Sequence, residues 1–330
     1  MSPEASALSR EQDIGDNRME RCVRLTRLWI YLGVVCAACS VRQSWAAELW
    51  ANTLPAINAG LVAGALPPTG LYGIYDSYWA SFRVYDNSSK KTVESVDALI
   101  QIPMLLWVPG NKVLGGNYAV AAAFPFDYTN VKVPAAATLS NNGHWGTFNT
   151  VVAPAMISWQ LPHDLHLRAD LIVSVDDASS APGRPPSGGG APSGNGFWSL
   201  EPDIGISWLH DGWNISAGLQ YAYNFKNGKT QYTSGQQLSG TYTVTKTIGK
   251  WTFGVSAYSI NQITSDSGSG AYEAGCTSRG GCRIEAYGAG PLVAYQFGGV
   301  NVLFNYTASI YTRNYLGGNI VNVRFIFPLS

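Results

Sequence analysis

The chain has 330 residues, zero formal charge and only 13% charged residues, against about 25% in a typical soluble domain. With 12% aromatics, 36 glycines and a mean hydropathy of zero, it is too apolar for a disordered chain and shows no basic patch or arm for nucleic acid. Only one long apolar run is present, near the N-terminus, which excludes a polytopic helical membrane protein.

That run reads as an export leader. Arg21, Arg24 and Arg27 form a basic n-region, and Leu28 to Ala38 an apolar h-region. Ser44-Trp45-Ala46 or Trp45-Ala46-Ala47 supplies small residues for cleavage. The expected signal peptide is 1–47. Met19 is a possible start, because residues 1–18 are polar and add nothing to a leader. A retained N-terminal anchor is the alternative. Cys22, Cys36 and Cys39 leave with the leader, so the mature chain keeps Cys276 and Cys282, separated by Thr-Ser-Arg-Gly-Gly. In an oxidising compartment this pair is expected to form a disulfide in a surface loop. Two thiolates without a nearby His are too few for a metal site.

Residues 48–69 come next. They are apolar and rich in small residues, and too long for a simple tail. They are expected to fold into a lumen as a plug, the alternative being a disordered tail.

From residue 70 onward the dominant signal is period-two alternation in long stretches. In Trp213 to Lys226, Trp213, Ile215, Leu219, Tyr221, Tyr223 and Phe225 share one face, and Asn214, Ser216, Gln220, Asn224 and Lys226 the other. The pattern predicts about twelve strands, at 70–85, 93–108, 115–127, 147–161, 164–177, 197–209, 213–226, 237–248, 251–265, 282–297, 299–313 and 318–328. The first is the least regular, with Tyr and Phe on both faces. An even count of long antiparallel strands is what a transmembrane barrel requires, since lipid tolerates no unpaired sheet edge. A secreted sandwich would have strands of about 5–6 residues. The fold class is therefore all-β: an outer-membrane barrel of about twelve antiparallel strands over 70–330.

The connections support it. Short turns (Pro109-Gly110-Asn111, Pro162-His163, Asp211-Gly212, Gly249-Lys250, Gly298) alternate with long loops at 128–146, 178–196, 227–236 and 266–281, as periplasmic turns and extracellular loops do. The Pro/Gly/Ser-rich run 178–196 is expected to be mobile. Trp107, Trp159, Trp208, Trp213 and Trp251 fall at short-turn ends, and Trp145 and Trp198 near long-loop ends, as two interfacial aromatic bands would.

Several stretches resemble the outer-membrane family associated with the meta-pathway of phenol degradation. They are GALPPTGLYGIYDSYWASFRVYDN (Gly64 to Asn87), LGGNYAVAAAFPF (Leu114 to Phe126), FWSLEPDIGISWLHDGWNISAGLQYAYNFKN (Phe197 to Asn227), TQYTSGQQL (Thr230 to Leu238), KWTFGVSAYSINQITSD (Lys250 to Asp266) and GAGPLVAYQFGGVNV (Gly288 to Val302). The resemblance implies an outer-membrane transporter for small hydrophobic or aromatic compounds. The chain departs from usual barrels in ending Phe327-Pro328-Leu329-Ser330, without a terminal aromatic.

If the apolar face meets lipid, the lumen receives Asp97, Gln101, Asp127, His166, Arg168, Asp170, Glu201, Asp203, Asn224, Lys226, Glu285 and Arg324. A charge facing lipid near the midplane costs about 2–4 kcal/mol. These groups serve either as ion pairs filling a narrow barrel or as a selective polar wall. Arg168, Asp170, Glu201 and Asp203 are expected to cluster at mid-height. Phosphate loops, zinc spacings and dinucleotide fingerprints are missing from the sequence. His166, beside Arg168 and Asp170, is the sole histidine placed mid-strand.

The expected function is uptake of small hydrophobic or aromatic compounds across the outer membrane of a Gram-negative bacterium, without covalent chemistry, cofactor or metal. The expected partners are outer-membrane lipid, small organic solutes and the barrel-assembly machinery, and not nucleic acid. Two rivals stand beside it. A barrel-embedded lipid or ester hydrolase would need a nucleophile within reach of His166. A structural surface barrel would have a filled lumen.

Overall fold

The computed structural model describes residues 50–132, 143–186, 192–273 and 282–329. The expected leader 1–47 and Cys276 lie outside the described residues. Among the described residues, fifteen strands form a single sheet. They are β1 (Gly70–Tyr85), β2 (Lys91–Val108), β3 (Lys112–Val113), β4 (Gly116–Ala123), β5 (Phe126–Lys132), β6 (His144–Thr147), β7 (Val151–Gln160) and β8 (Leu165–Ser174). β9 (Ser199–His210), β10 (Trp213–Asn224), β11 (Gln237–Ile248), β12 (Trp251–Gln262), β13 (Glu285–Phe297), β14 (Val300–Arg313) and β15 (Leu316–Pro328) follow.

Neighbours in sequence pair antiparallel, and the sheet closes on itself. β15 pairs with β1, which places Arg324 opposite Asp76. β2 pairs with β4 along its second half and with β5 along its first. The result is a closed barrel of twelve staves. β4 with β5 makes one stave, β6 with β7 another, and β3 is a two-residue hairpin on β4.

The two divided staves were expected to be continuous, at 115–127 and 147–161. The first breaks at Phe124-Pro125, where proline has no N–H for the ladder. The second breaks at 148–150 and bulges around Pro154, where the register with β8 shifts. Both staves also run further than expected. β5 reaches Lys132 and β6 begins at His144, so the connection expected at 128–146 is shorter.

The turns match their chemistry. Asp211 and Gly212 both have positive φ (47° and 72°), the conformation of a two-residue hairpin that follows the sheet's twist. At the opposite end the loops pack. The described parts of 178–196 hold Ala181, Ser193 and Asn195 buried, with Ser179 N–H on the Thr147 carbonyl (3.1 Å) and Asn195 N–H on Asn149 Oδ1 (2.9 Å). Asn149 and Ser180 satisfy backbone groups of these ends, Ser193 N–H donating to Ser180 Oγ (2.9 Å). Cys282 is buried and disulfide-bonded.

On β10 the alternation runs as expected. Trp213, Ile215, Leu219 and Tyr223 are exposed outside, and Ser216, Gln220 and Asn224 are buried inside. Large apolar side chains stand exposed on the outer face of other staves too, among them Trp79, Trp107, Ile204, Val255 and Phe304. On β1 and β2 the inner face is largely apolar as well. Tyr78, Phe82, Val96 and Ile100 are the buried, inward residues. They join Trp50, Leu54, Tyr258, Ile284 and Ile320 in one hydrophobic cluster. A barrel interior can be apolar where chain rather than water fills it, and here residues 50–66 lie against it.

Candidate functional site in the barrel lumen

The segment 50–66 has little regular structure of its own. Three reverse turns bend it, with Ile57 N–H on the Leu54 carbonyl, Ala59 on Ala56 and Leu61 on Asn58. Its remaining backbone groups must find partners elsewhere, and side chains of the wall supply them. At the long-loop end, Trp50 N–H donates to Asn195 Oδ1 (3.1 Å) and Ala51 N–H to the Tyr315 hydroxyl (3.0 Å). At the same end, Asn52 donates to Gln237, Glu201 and Asn224. The Tyr78 hydroxyl donates to the Pro55 carbonyl (3.1 Å) and Arg324 to the carbonyls of Ile57 and Ala59.

Nearer the short turns, Gly60 N–H meets Thr243, Ala63 meets Ser216, and Gly64 is clamped between Ser207 (2.7 Å) and the Ser158 hydroxyl (2.9 Å). Gly64 has no substitute. A Cβ there would stand 2.3 Å from the His166 carbonyl oxygen and 2.6 Å from Ser207 N.

Between this segment and the wall lies a cavity of about 620 Å³. One side is aliphatic: Ile74, Ile102, Met104 and Leu106 from β1 and β2, with Met156 and Ile172 from β7 and β8. The other side is polar and built on β8–β11. Arg168 Nε donates to Asp170 Oδ2 (2.8 Å), and a second guanidinium nitrogen donates to the Val62 carbonyl (3.3 Å). Asp203 stands directly opposite Asp170 across the β8–β9 ladder. Glu201 is fully hydrogen-bonded, by Ser174 (3.1 Å), Ser199, Asn52 (3.2 Å) and Gln220. This surface can hold an apolar body on one flank and a polar substituent on the other.

Of the expected lumen residues, Arg168, Asp170, Glu201 and Asp203 line this cavity together. His166, Asp127 and Asn224 also point inward, outside it. Asp127 accepts the Thr129 hydroxyl (2.6 Å), and Asn224 accepts from Asn52 (2.8 Å). Arg324 points inward on the far side, paired with Asp76 (2.9 Å).

Four expectations do not hold. Asp97 and Gln101 lie on the outer face of β2, alternating with inward Val96, Ile100 and Ile102. Asp97 accepts from Ser81 (2.8 Å), while Gln101 accepts from Tyr75 and donates to Ser77 (3.0 Å). Pairing among neighbours on the same face reduces the desolvation cost of that placement. Glu285 likewise faces outward, between inward Ile284 and Ala286, and pairs with Arg313 across the ladder (3.1 Å). Lys226 falls beyond β10, which ends at Asn224. It is exposed and donates to Gln231 (2.8 Å). The Ser207 hydroxyl opposite His166 is engaged by Gly64 N–H and by Ser216 (2.6 Å).

The model of the family described as "Putative MetA-pathway of phenol degradation" matches residues 81–325. The chain belongs to this family. Among solved structures, an outer membrane channel from Pseudomonas putida F1 is similar at a TM-score of 0.64 and 11% identity, over 80% of this chain and 97% of that one. The translocator domain of the autotransporter NalP from Neisseria meningitidis gives 0.45 and 12%, over 80% and 90%. The first likeness establishes the barrel fold. No curated protein matches the chain significantly.

Among the described residues the most buried ion pair, Arg324 with Asp76, is only half legible in the sequence. Asp76 is the inward partner of Arg324, and Asn322 also donates to it (2.7 Å). Closure of the last stave on the first is the signal that joins the two positions. The mixed aromatics of β1 hide which of its faces is inward.

Proposed function

We propose that this protein is an outer-membrane channel through which small hydrophobic or aromatic compounds enter a Gram-negative cell. One observation carries the reading: a half-aliphatic cavity of about 620 Å³ inside a closed barrel whose outer face is studded with exposed apolar side chains. That volume is in the range of small-molecule sites. An aliphatic wall offsets the loss of hydration that stops an apolar solute in a water-filled pore. Residues 50–66 act as a plug and set the width of the passage. In this reading outer-membrane lipid covers the apolar belt, the barrel-assembly machinery inserts the chain, residues 1–47 leave as the export leader, and Cys276 is the partner of Cys282. The barrel's work is passage rather than covalent chemistry.

Proteoliposomes carrying the mature protein test the reading. They should take up phenol and toluene faster than protein-free liposomes of the same lipid. Shortening the chain to begin at Ala65 should raise single-channel conductance in planar bilayers. Aromatic uptake equal to that of empty liposomes would overturn it.

A further inference from the structure

The polar wall of the cavity holds more acceptor charge than it satisfies. Arg168 spends its Nε on Asp170 Oδ2 and another nitrogen on the Val62 carbonyl. Glu201 is saturated by four neutral donors. The other inward guanidinium, on Arg324, is committed to Asp76 and to two carbonyls of the segment 50–66. Two groups are left over. Asp170 is 7% exposed, lines the cavity, and its Oδ1 is buried without a hydrogen-bond partner among the described residues. Asp203 lines the same cavity directly opposite.

Like charges placed opposite each other in a ladder repel. An orphaned buried oxygen costs the desolvation of that atom. Two carboxylates against one guanidinium are therefore a standing unfavourable arrangement within the wall. A ligand that brings a positive charge and several N–H donors relieves it. The aliphatic wall of Ile102, Met104 and Leu106 across the cavity asks for an apolar body on the same ligand.

We propose that this cavity is a binding site for amphipathic monocations, in which an apolar or aromatic body lies on the β1–β2 wall and one protonated amine sits between Asp170 and Asp203. The inference rests on the channel reading and narrows its solute class. Neutral aromatic solutes pass with weaker retention. Aromatic carboxylates are repelled, because among the described residues the wall's guanidiniums are already committed.

Three substituted benzenes separate these cases: benzylamine, benzyl alcohol and benzoate, titrated by calorimetry into the mature protein in detergent at pH 7. Benzylamine should bind at least about tenfold more tightly than benzyl alcohol, since a hydrogen bond to a charged group is stronger than one between neutral groups. Benzoate should be the weakest. Asp203→Asn removes one charge without changing shape and should cut the benzylamine-to-alcohol ratio about tenfold. Asp97→Asn, on the outer face, should preserve the ratio. Equal binding of amine and alcohol in the wild type overturns the monocation site alone. A ratio that survives Asp203→Asn does the same. If none of the three binds, and phenol and toluene do not enter proteoliposomes, the channel reading fails and takes this inference with it.

Discussion

Replacing Arg324 by Met should both weaken the barrel and loosen its plug. The side chains of Arg324 and Asp76 are 3% and 1% exposed, and Nε lies 2.9 Å from Oδ1. The same guanidinium donates to the carbonyls of Ile57 and Ala59. Methionine fills similar volume but leaves Asp76 with the Asn322 amide as its remaining donor, at 2.7 Å. Breaking one side of a buried pair costs about 3–5 kcal/mol. Each of the two carbonyls loses a hydrogen bond with a net worth of roughly 1 kcal/mol. Urea unfolding of the refolded protein, followed by tryptophan fluorescence, should show a loss of about 3–5 kcal/mol. Planar-bilayer traces should show higher or noisier conductance as the segment 50–66 comes free. The double variant Asp76→Asn with Arg324→Met removes the stranded charge and should recover at least half of the stability. It should not restore the quiet conductance, since the carbonyls still lack their donor. A single variant within about 1 kcal/mol of wild type, with unaltered conductance, would refute the latch.

Gly64→Val should expel the plug from its seat with little effect on the wall, because the new Cβ collides with the His166 carbonyl oxygen at 2.3 Å; raised conductance with near-wild-type unfolding is expected, and unchanged conductance counts against it. Arg168→Ala removes the cation beside Asp170, Asp203 and Glu201 and should move the reversal potential toward cation selectivity; an unchanged potential would place the ion path elsewhere. Asp266 is buried in the loop after β12, accepting Gly235 N–H (2.7 Å) and a Gln262 amide hydrogen (2.8 Å), and burial pushes its carboxyl up to about 6. The fold thus favours the protonated acid, so the loop is most stable below about pH 4 and loses stability as pH rises toward 6. Hydrogen exchange over 231–236 should be slower at pH 4 than at pH 7 after correction for intrinsic rates, and Asp266→Asn should abolish the difference. A protease tag within 178–196 should be cut on intact cells and one at Pro109 to Asn111 should not; the opposite result would invert the topology.

The strand count was legible because a two-residue period over a dozen residues leaves few other solutions. On β10 both faces follow from the sequence, since Trp213, Ile215 and Leu219 alternate with Ser216 and Gln220. So do the tight turns, because Asp211-Gly212 carries the positive φ values a two-residue hairpin needs. The cluster of Arg168, Asp170, Glu201 and Asp203 follows too, from parity and from the adjacency of β8 and β9. The direction of the β1 and β2 faces was decided only in three dimensions. The polar-inside rule presumes water in the lumen, and Trp50, Leu54 and Ile57 occupy that side instead. Apolar Val96 and Ile100 then belong inside, and Asp97 goes out to Ser81. Asp76 met Arg324 for a similar reason. They are 248 residues apart and become neighbours only when the barrel closes, and no local pattern encodes which residue of the first stave will face a given residue of the last.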